Sequence, residues 1–154
     1  MPRVPLLHLA HTRSGDKGDT ANVGVIAYDA QDYPLLRDAL TVDRVQAHFG
    51  DMVKGTVERF ELPGLGALNF LLHGALGGGG TVSLMTDAQG KVFSTAILRM
   101  DIEVSDAVAA RVAGRGRVPA DFDPLQPIPM NPDSGAETAA GPASGFGGAD
   151  VGSP

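Results

Sequence analysis

The chain contains no cysteine and no tryptophan. The first absence excludes a disulfide scaffold, a zinc ribbon, an iron–sulfur site and a cysteine nucleophile. Aromatic residues make up only 5% of the chain, with two tyrosines, too few for the stacking platforms that bind single-stranded nucleic acid. Positive charge is also scarce: 12 Lys and Arg stand against 18 Asp and Glu, for a formal net charge of -6. A field of that sign repels phosphate backbones, so nucleic acid is not expected as a general partner. No apolar run reaches the length of a membrane span, and the opening Met1-Pro2-Arg3-Val4-Pro5 lacks the apolar segment of a secretory leader. The expectation is a soluble, cytoplasmic protein without a membrane partner.

What is present suffices for one domain. At 154 residues and 43% hydrophobic, the chain can bury a real core but not two comfortable ones. Composition changes after residue 117, since Arg117 is the last basic residue. Residues 127–154 comprise six Gly, five Pro, five Ala and three Ser among their 28, with Asp133, Glu137 and Asp150 unbalanced by any base. Such a segment has too little apolar surface to offset its ordering entropy. The expected division is a folded domain over 3–117 and a flexible tail over 118–154, with Ile128 and Met130 the tail residues best suited to drape over a partner. Deleting 127–154 should then leave the domain's unfolding midpoint nearly unchanged.

Within the folded part, β-branched content predicts strands over 4–12 and 21–28, joined by a polar loop over 13–19. Asp32 is placed to cap a helix with Pro34 in its first turn, and Thr41 to cap a second, with Val42, Val45 and Phe49 on one face and Gly50 as its stop. Residues 55–62 alternate like a strand. Leu65, Leu68, Leu72 and Leu76 fall at i, i+3, i+7 and i+11, which predicts a helix ended by Gly77–Gly80. Residues 81–86 and 92–104 read as two strands around the turn Asp87-Ala88-Gln89-Gly90, and Ser105-Asp106 as the cap of a short last helix. This order predicts an α+β sandwich of ferredoxin-like type, with a mostly antiparallel sheet and helices on one face.

The densest chemistry lies in Arg13-Ser14-Gly15-Asp16-Lys17-Gly18-Asp19-Thr20-Ala21-Asn22-Val23-Gly24. Gly15 and Gly18, at this spacing, let backbone N–H groups turn toward an anion, and Arg13 and Lys17 add positive charge. Asp16, Asp19 and Asn22 recur every third residue and suit a hard cation or a hydrogen-bonded substrate. A third reading is an Asx-rich turn that satisfies its own backbone. The stretch is neither a Walker loop nor an EF-hand. Ser14 lacks a nucleophile elbow and any histidine in the same loop, so acid–base work would fall to Asp16, Lys17 and Asp19, given a neighbour that shifts their pKa.

With ALNFLLHGALGGGG and SLMTDAQGK following in order, RSGDKGDTANVGV resembles the small ferredoxin-fold domain of the acyclic terpene utilization (AtuA-like) family, over about residues 5–102. In that family the domain is fused behind a large catalytic-looking domain or encoded beside it. The resemblance implies the small subunit of a bacterial acyl-CoA-processing complex in isoprenoid or branched-acid catabolism, a hetero-oligomer completing a site on a large AtuA-type partner. A hydratase or lyase is the implied activity, a coenzyme A thioester the implied substrate, and no cofactor is expected. A stand-alone metabolite-binding module and a structural oligomerisation module are the alternative readings.

The residues singled out are Asp16, Lys17 and Asp19 for catalysis, and Arg13, Ser14, Gly15, Gly18, Asn22, Asn69, His73, Gly78 and Gly79 for substrate binding. Asn69 and His73 lie four apart and would share a face of the expected helix, ahead of glycine N–H groups that suit a phosphate or thioester oxygen. A plain helix stop explains the glycines equally. His8 and His11 would point to opposite faces of one strand and His48 lies near a helix end, so no metal site is expected.

Overall fold

The computed structural model describes residues 1–115. The domain boundary expected at 117 and the tail over 118–154 lie outside the described residues. The elements in chain order are β1 (Arg3–Pro5), β2 (Ala10–Lys17), β3 (Thr20–Ala27), α1 (Tyr33–Ala39), α2 (Val42–Phe49), β4 (Val57–Leu62), β5 (Ala67–Leu72), α3 (Phe93–Ile97), β6 (Asp101–Glu103) and α4 (Asp106–Val112). Four strands form an antiparallel sheet in the order β2-β3-β5-β4, and β1 pairs antiparallel with β6 in a second, small sheet. The fold is α+β and ferredoxin-like.

Period-two alternation decides which face of the larger sheet is covered. Ala21, Val23 and Val25 of β3 and Leu68, Phe70 and Leu72 of β5 are buried, and they join one core with Leu36, Val45, Phe49, Phe93 and Ile97 from the helices. Ile26 and Asn69 lie on the opposite alternation. Two capping expectations hold: the Thr41 hydroxyl accepts from the Arg44 N–H at 3.3 Å and the Ser105 hydroxyl from the Val108 N–H at 3.3 Å. Val45 and Phe49 face the core as expected, whereas Val42, at the start of α2, is 36% exposed.

Five expectations are corrected. The strand expected over 4–12 is interrupted at Leu6–His8 by a 3-10 turn, because Leu6 and Leu7 donate to the carbonyls of Met100 and Leu98 instead of continuing a ladder. His8 and His11 therefore do not share a strand. The polar loop over 13–19 is mostly strand: β2 runs to Lys17, pairs with β3 down to Lys17↔Thr20, and turns through Gly18-Asp19 with Gly18 at φ +64°. The helix expected from Leu65 to Leu76 is replaced by β5. Leu68 and Leu72 also fit period two, and Phe70 between them, which the helical spacing skips, completes a buried strand stripe. Of the two strands expected over 81–86 and 92–104, only Asp101–Glu103 is one. Residues 81–86 pair with no strand, and Val82 and Leu84 are exposed. Phe93, Ile97 and Met100 are buried at the 3.6-residue spacing of a helix turn, so packing overrides the β propensity of Val92, Phe93 and Thr95. The Asp87–Gly90 turn itself forms, closed by the Gly90 N–H donating to the Asp87 carbonyl at 3.0 Å.

Asp32 is the fifth. It precedes α1, but its side chain makes no cap bond. At 2% exposure its carboxylate instead accepts from Arg111 of α4, and a buried carboxylate needs such a partner more than a helix end needs a cap. Asp32, foremost, holds the Arg111 guanidinium above its ordinary range.

Candidate functional site on the uncovered sheet face

The face of the sheet away from the helices carries side chains selected by the same alternation. Arg13, Gly15 and Lys17 of β2 lie beside Gly24, Asn22 and Thr20 of β3, and β5 adds Asn69 and Leu71 opposite Gly24 and Asn22. A groove of about 690 Å³ runs over this face. One end is charged, lined by Arg13, Lys17 and Lys91; the other is apolar, lined by Ile26, Leu62 and Leu65.

Lys91 reaches the groove from outside the sheet. A Cβ at Gly15 would lie 3.2 Å from Lys91 Nζ, so the missing side chain at Gly15 leaves room for the ammonium between Arg13 and Lys17. The Lys91 backbone is held there by three bonds. Its N–H donates to the Asp87 carboxylate at 2.8 Å, and its carbonyl accepts from the Ser14 and Ser94 hydroxyls, each at 2.9 Å. Among the described residues, Arg13, Lys17 and Lys91 enter no ion pair. In the floor, Asn22 Oδ1 is buried without a hydrogen-bond partner among the described residues, and a buried acceptor left so favours a ligand donor.

The residues singled out from sequence separate into three places. Arg13, Gly15, Lys17, Asn22 and Asn69 come together in the groove. Ser14 contributes atoms to the groove wall, but its side chain has the opposite alternation and is tied to the start of α3, its hydroxyl donating to the Lys91 carbonyl and accepting from the Ser94 N–H, each at 2.9 Å. Asp16 shares that alternation and is exposed on the edge strand, with some of its atoms on the groove margin.

Gly18, Asp19, Gly78 and Gly79 form a second place, at the hairpin tip. Asp19 Oδ1 accepts from the N–H groups of Leu76 at 3.1 Å and Gly78 at 2.7 Å, and the Asp19 carbonyl accepts from Ala75 at 3.0 Å. The carboxylate thus occupies N–H groups of the glycine run that an anionic ligand would otherwise meet. Asp19→Ala is expected to lower the unfolding free energy by about 2 kcal/mol, from two lost charge-assisted bonds at a partly exposed site. An unchanged denaturant midpoint would show that the two bonds do not hold the loop.

His73 marks the third place. It is not on a helix with Asn69 but just beyond β5, where its ring meets Thr20 and Glu58 on the groove side of the sheet. Thr20, Glu58 and Lys91 were missed from sequence. Lys91 lay within a recognised motif, yet only the empty space over Gly15 gives its ammonium a position. The remaining histidines are dispersed: His11 packs on Tyr28 with ring centroids 5.4 Å apart, and His48 Nε2 lies 2.9 Å from the Ala96 carbonyl. Among the described residues no three His, Asp or Glu side chains gather as metal ligands, and no helix is long and apolar enough to cross a membrane.

The family model for the AtuA ferredoxin-like domain matches residues 4–103. The chain belongs to that family. The match spans all four strands of the larger sheet, so the groove of this AtuA ferredoxin-like domain is built wholly from the family's own segment, with Lys91 included. No curated protein and no solved structure matches the chain.

Proposed function

We propose that this AtuA ferredoxin-like domain is the small subunit of a bacterial acyl-CoA-processing complex, acting on isoprenoid or branched acyl thioesters, and that its uncovered sheet face completes a site on a large AtuA-type partner. The observation that carries this reading is the row Arg13, Lys91, Lys17: three cations without ion-pair partners among the described residues, on one strand face of a chain with net charge -6. Concentrating the scarce charge there creates an anion-attracting patch within a repelling field. The apolar end at Ile26, Leu62 and Leu65 suits the other half of an amphiphile that has phosphates at one end and a hydrocarbon at the other. Asn22 and Asn69 supply amide groups between the two ends, as a thioester or pantetheine amide would require. Lys17, at the charged end, is the residue best placed to touch the ligand's anionic group, and no element among the described residues covers this face, which leaves room for a second chain to close over it.

Co-expression with the large AtuA-type chain tests this reading. The two are expected to co-purify, with activity toward a branched acyl-CoA lost when either is omitted. A small chain that stays alone and homogeneous yet binds coenzyme A thioesters would replace the subunit reading with a metabolite-binding module. One that binds neither would leave a structural role.

A further inference from the structure

We propose that Thr20 is an acyl-accepting nucleophile, activated by His73 and oriented through it by Glu58. This goes beyond the binding role above and stands without a partner chain. Three strands converge to make the arrangement. Thr20 opens β3, His73 lies directly across from it past the end of β5, and Glu58 comes from β4 on the same face. Thr20 Oγ1 and His73 Nδ1 are 3.0 Å apart, and His73 Nε2 lies 3.5 Å from Glu58 Oε2. An ionised carboxylate only accepts, so Glu58, in charge contact with Nε2 and not hydrogen-bonded to it, favours the neutral tautomer that carries its proton on that nitrogen. Nδ1 is then left to accept the Thr20 hydroxyl proton. A hydroxyl bonded to an imidazole that a carboxylate orients is the arrangement of an activated nucleophile.

The site is held and reachable. The His73 backbone is tied to the segment leading into β4, its N–H donating to the Thr56 carbonyl and its carbonyl accepting from the Gly55 N–H, at 3.0 and 2.9 Å. A Cβ at position 55 would fall 2.8 Å from that carbonyl oxygen, so the close approach is specific to glycine. Thr20 is partly exposed and the His73 side chain is 36% exposed. Lys17, in register with Thr20, brings the charged end of the groove beside the hydroxyl.

The chemistry that fits is acyl transfer from an ester or thioester. The Thr20 oxygen forms a bond to the acyl carbon as its proton passes to His73 Nδ1. Collapse of the tetrahedral intermediate breaks the bond to the leaving alkoxide or thiolate, which takes that proton. Water then attacks the acyl-threonine, giving its proton to His73, which returns it to Thr20, so that one ester and one water yield one acid and one alcohol or thiol.

The full-length chain alone, mixed with p-nitrophenyl acetate, provides the test. The expected result is a burst of p-nitrophenolate and an acetyl group on Thr20 in peptide mass spectra. The burst should vanish in Thr20→Ala and return in Thr20→Ser, and His73→Asn should slow acylation by about a hundredfold. Circular dichroism of each variant separates loss of chemistry from loss of fold. Glu58 is a positioning residue: Glu58→Gln should slow acylation and shift the His73 tautomer populations seen in ring-nitrogen NMR. Acetyl groups on lysines alone, or equal rates for wild type, Thr20→Ala and His73→Asn, would overturn the proposal. Neither outcome depends on complex formation, so the subunit reading stands or falls separately.

Discussion

Gly79→Ala is expected to be the most destabilising of the glycine substitutions near the site, at about 4 kcal/mol. Two independent penalties meet at this residue. Its backbone sits at φ +97°, a region that a residue with a Cβ rarely enters, and the added Cβ would lie 2.9 Å from the Gly18 carbonyl oxygen and 3.0 Å from its carbon. Backbone cannot step aside as a flexible side-chain tip can, so hairpin tip and glycine run would have to part. Two other glycines separate the penalties. Gly18 has φ +64° but nothing within 4 Å of an added Cβ, so Gly18→Ala carries conformational strain alone, about 1 kcal/mol. Gly64 has neither a positive φ nor a neighbour within that distance, and Gly64→Ala should change stability by less than about 0.5 kcal/mol. Urea titrations of the three variants should therefore rank Gly64, Gly18, Gly79. A Gly79 variant no less stable than the Gly18 variant would mean that the glycine run does not press on the hairpin tip.

Lys17→Ala should produce the opposite signature, a loss of ligand binding in an intact fold. Lys17 is exposed, at the end of an edge strand, and makes no ion pair among the described residues. Its removal should therefore leave the denaturant midpoint in place. If its ammonium meets an anionic group, losing that charge-assisted bond should weaken coenzyme A thioester binding by about tenfold or more. It should also flatten the dependence of affinity on salt, since one fewer charge is left to screen. On the proposed subunit reading, activity of the complex with the large chain should fall with it. Calorimetric titrations at two salt concentrations provide the measurement, with Lys91→Ala as the parallel case from the neighbouring position over Gly15. Equal affinity and equal salt slope in wild type and Lys17→Ala would remove the cationic row as a ligand site. Asp19→Ala makes the contrast: its carboxylate bonds the glycine run, so stability and binding should decline together.

Local chemistry was legible wherever a few neighbouring residues settle the outcome. The Thr41 and Ser105 caps, the Gly50 stop and the turn closed by Gly90 each rest on one side chain or one φ angle. The β3 strand was legible as well, and so was the motif over residues 13–25 that marks the family. Between residues 65 and 76, Leu68 and Leu72 fit both a helical and a strand period, and so short a segment cannot resolve that ambiguity. Pairing decided it: β5 lies between β3 and β4, where its N–H and C=O groups are satisfied on both edges. The α3 segment went the other way for the same kind of reason, since a surface beneath it, not its own propensity, selects the turn that buries Phe93 and Ile97.

By itself, then, the sequence determined the class of fold, the caps and turns, the scarcity of positive charge and the segment in which part of that charge is concentrated. Only the tertiary structure decided which charges face the same way. Arg13 and Lys17 share a face because residues 13–17 are strand rather than loop, and alternation then sends Ser14 and Asp16 the other way. Lys91 joins them because Gly15 leaves space that no local pattern records. Thr20 and His73 are 53 residues apart, and their meeting depends on the antiparallel register of β3 on β5, which a one-residue slip would abolish. Register is set by the burial of every side chain on the opposite face, so a contact of this kind belongs to the whole sheet and to no stretch of the chain alone.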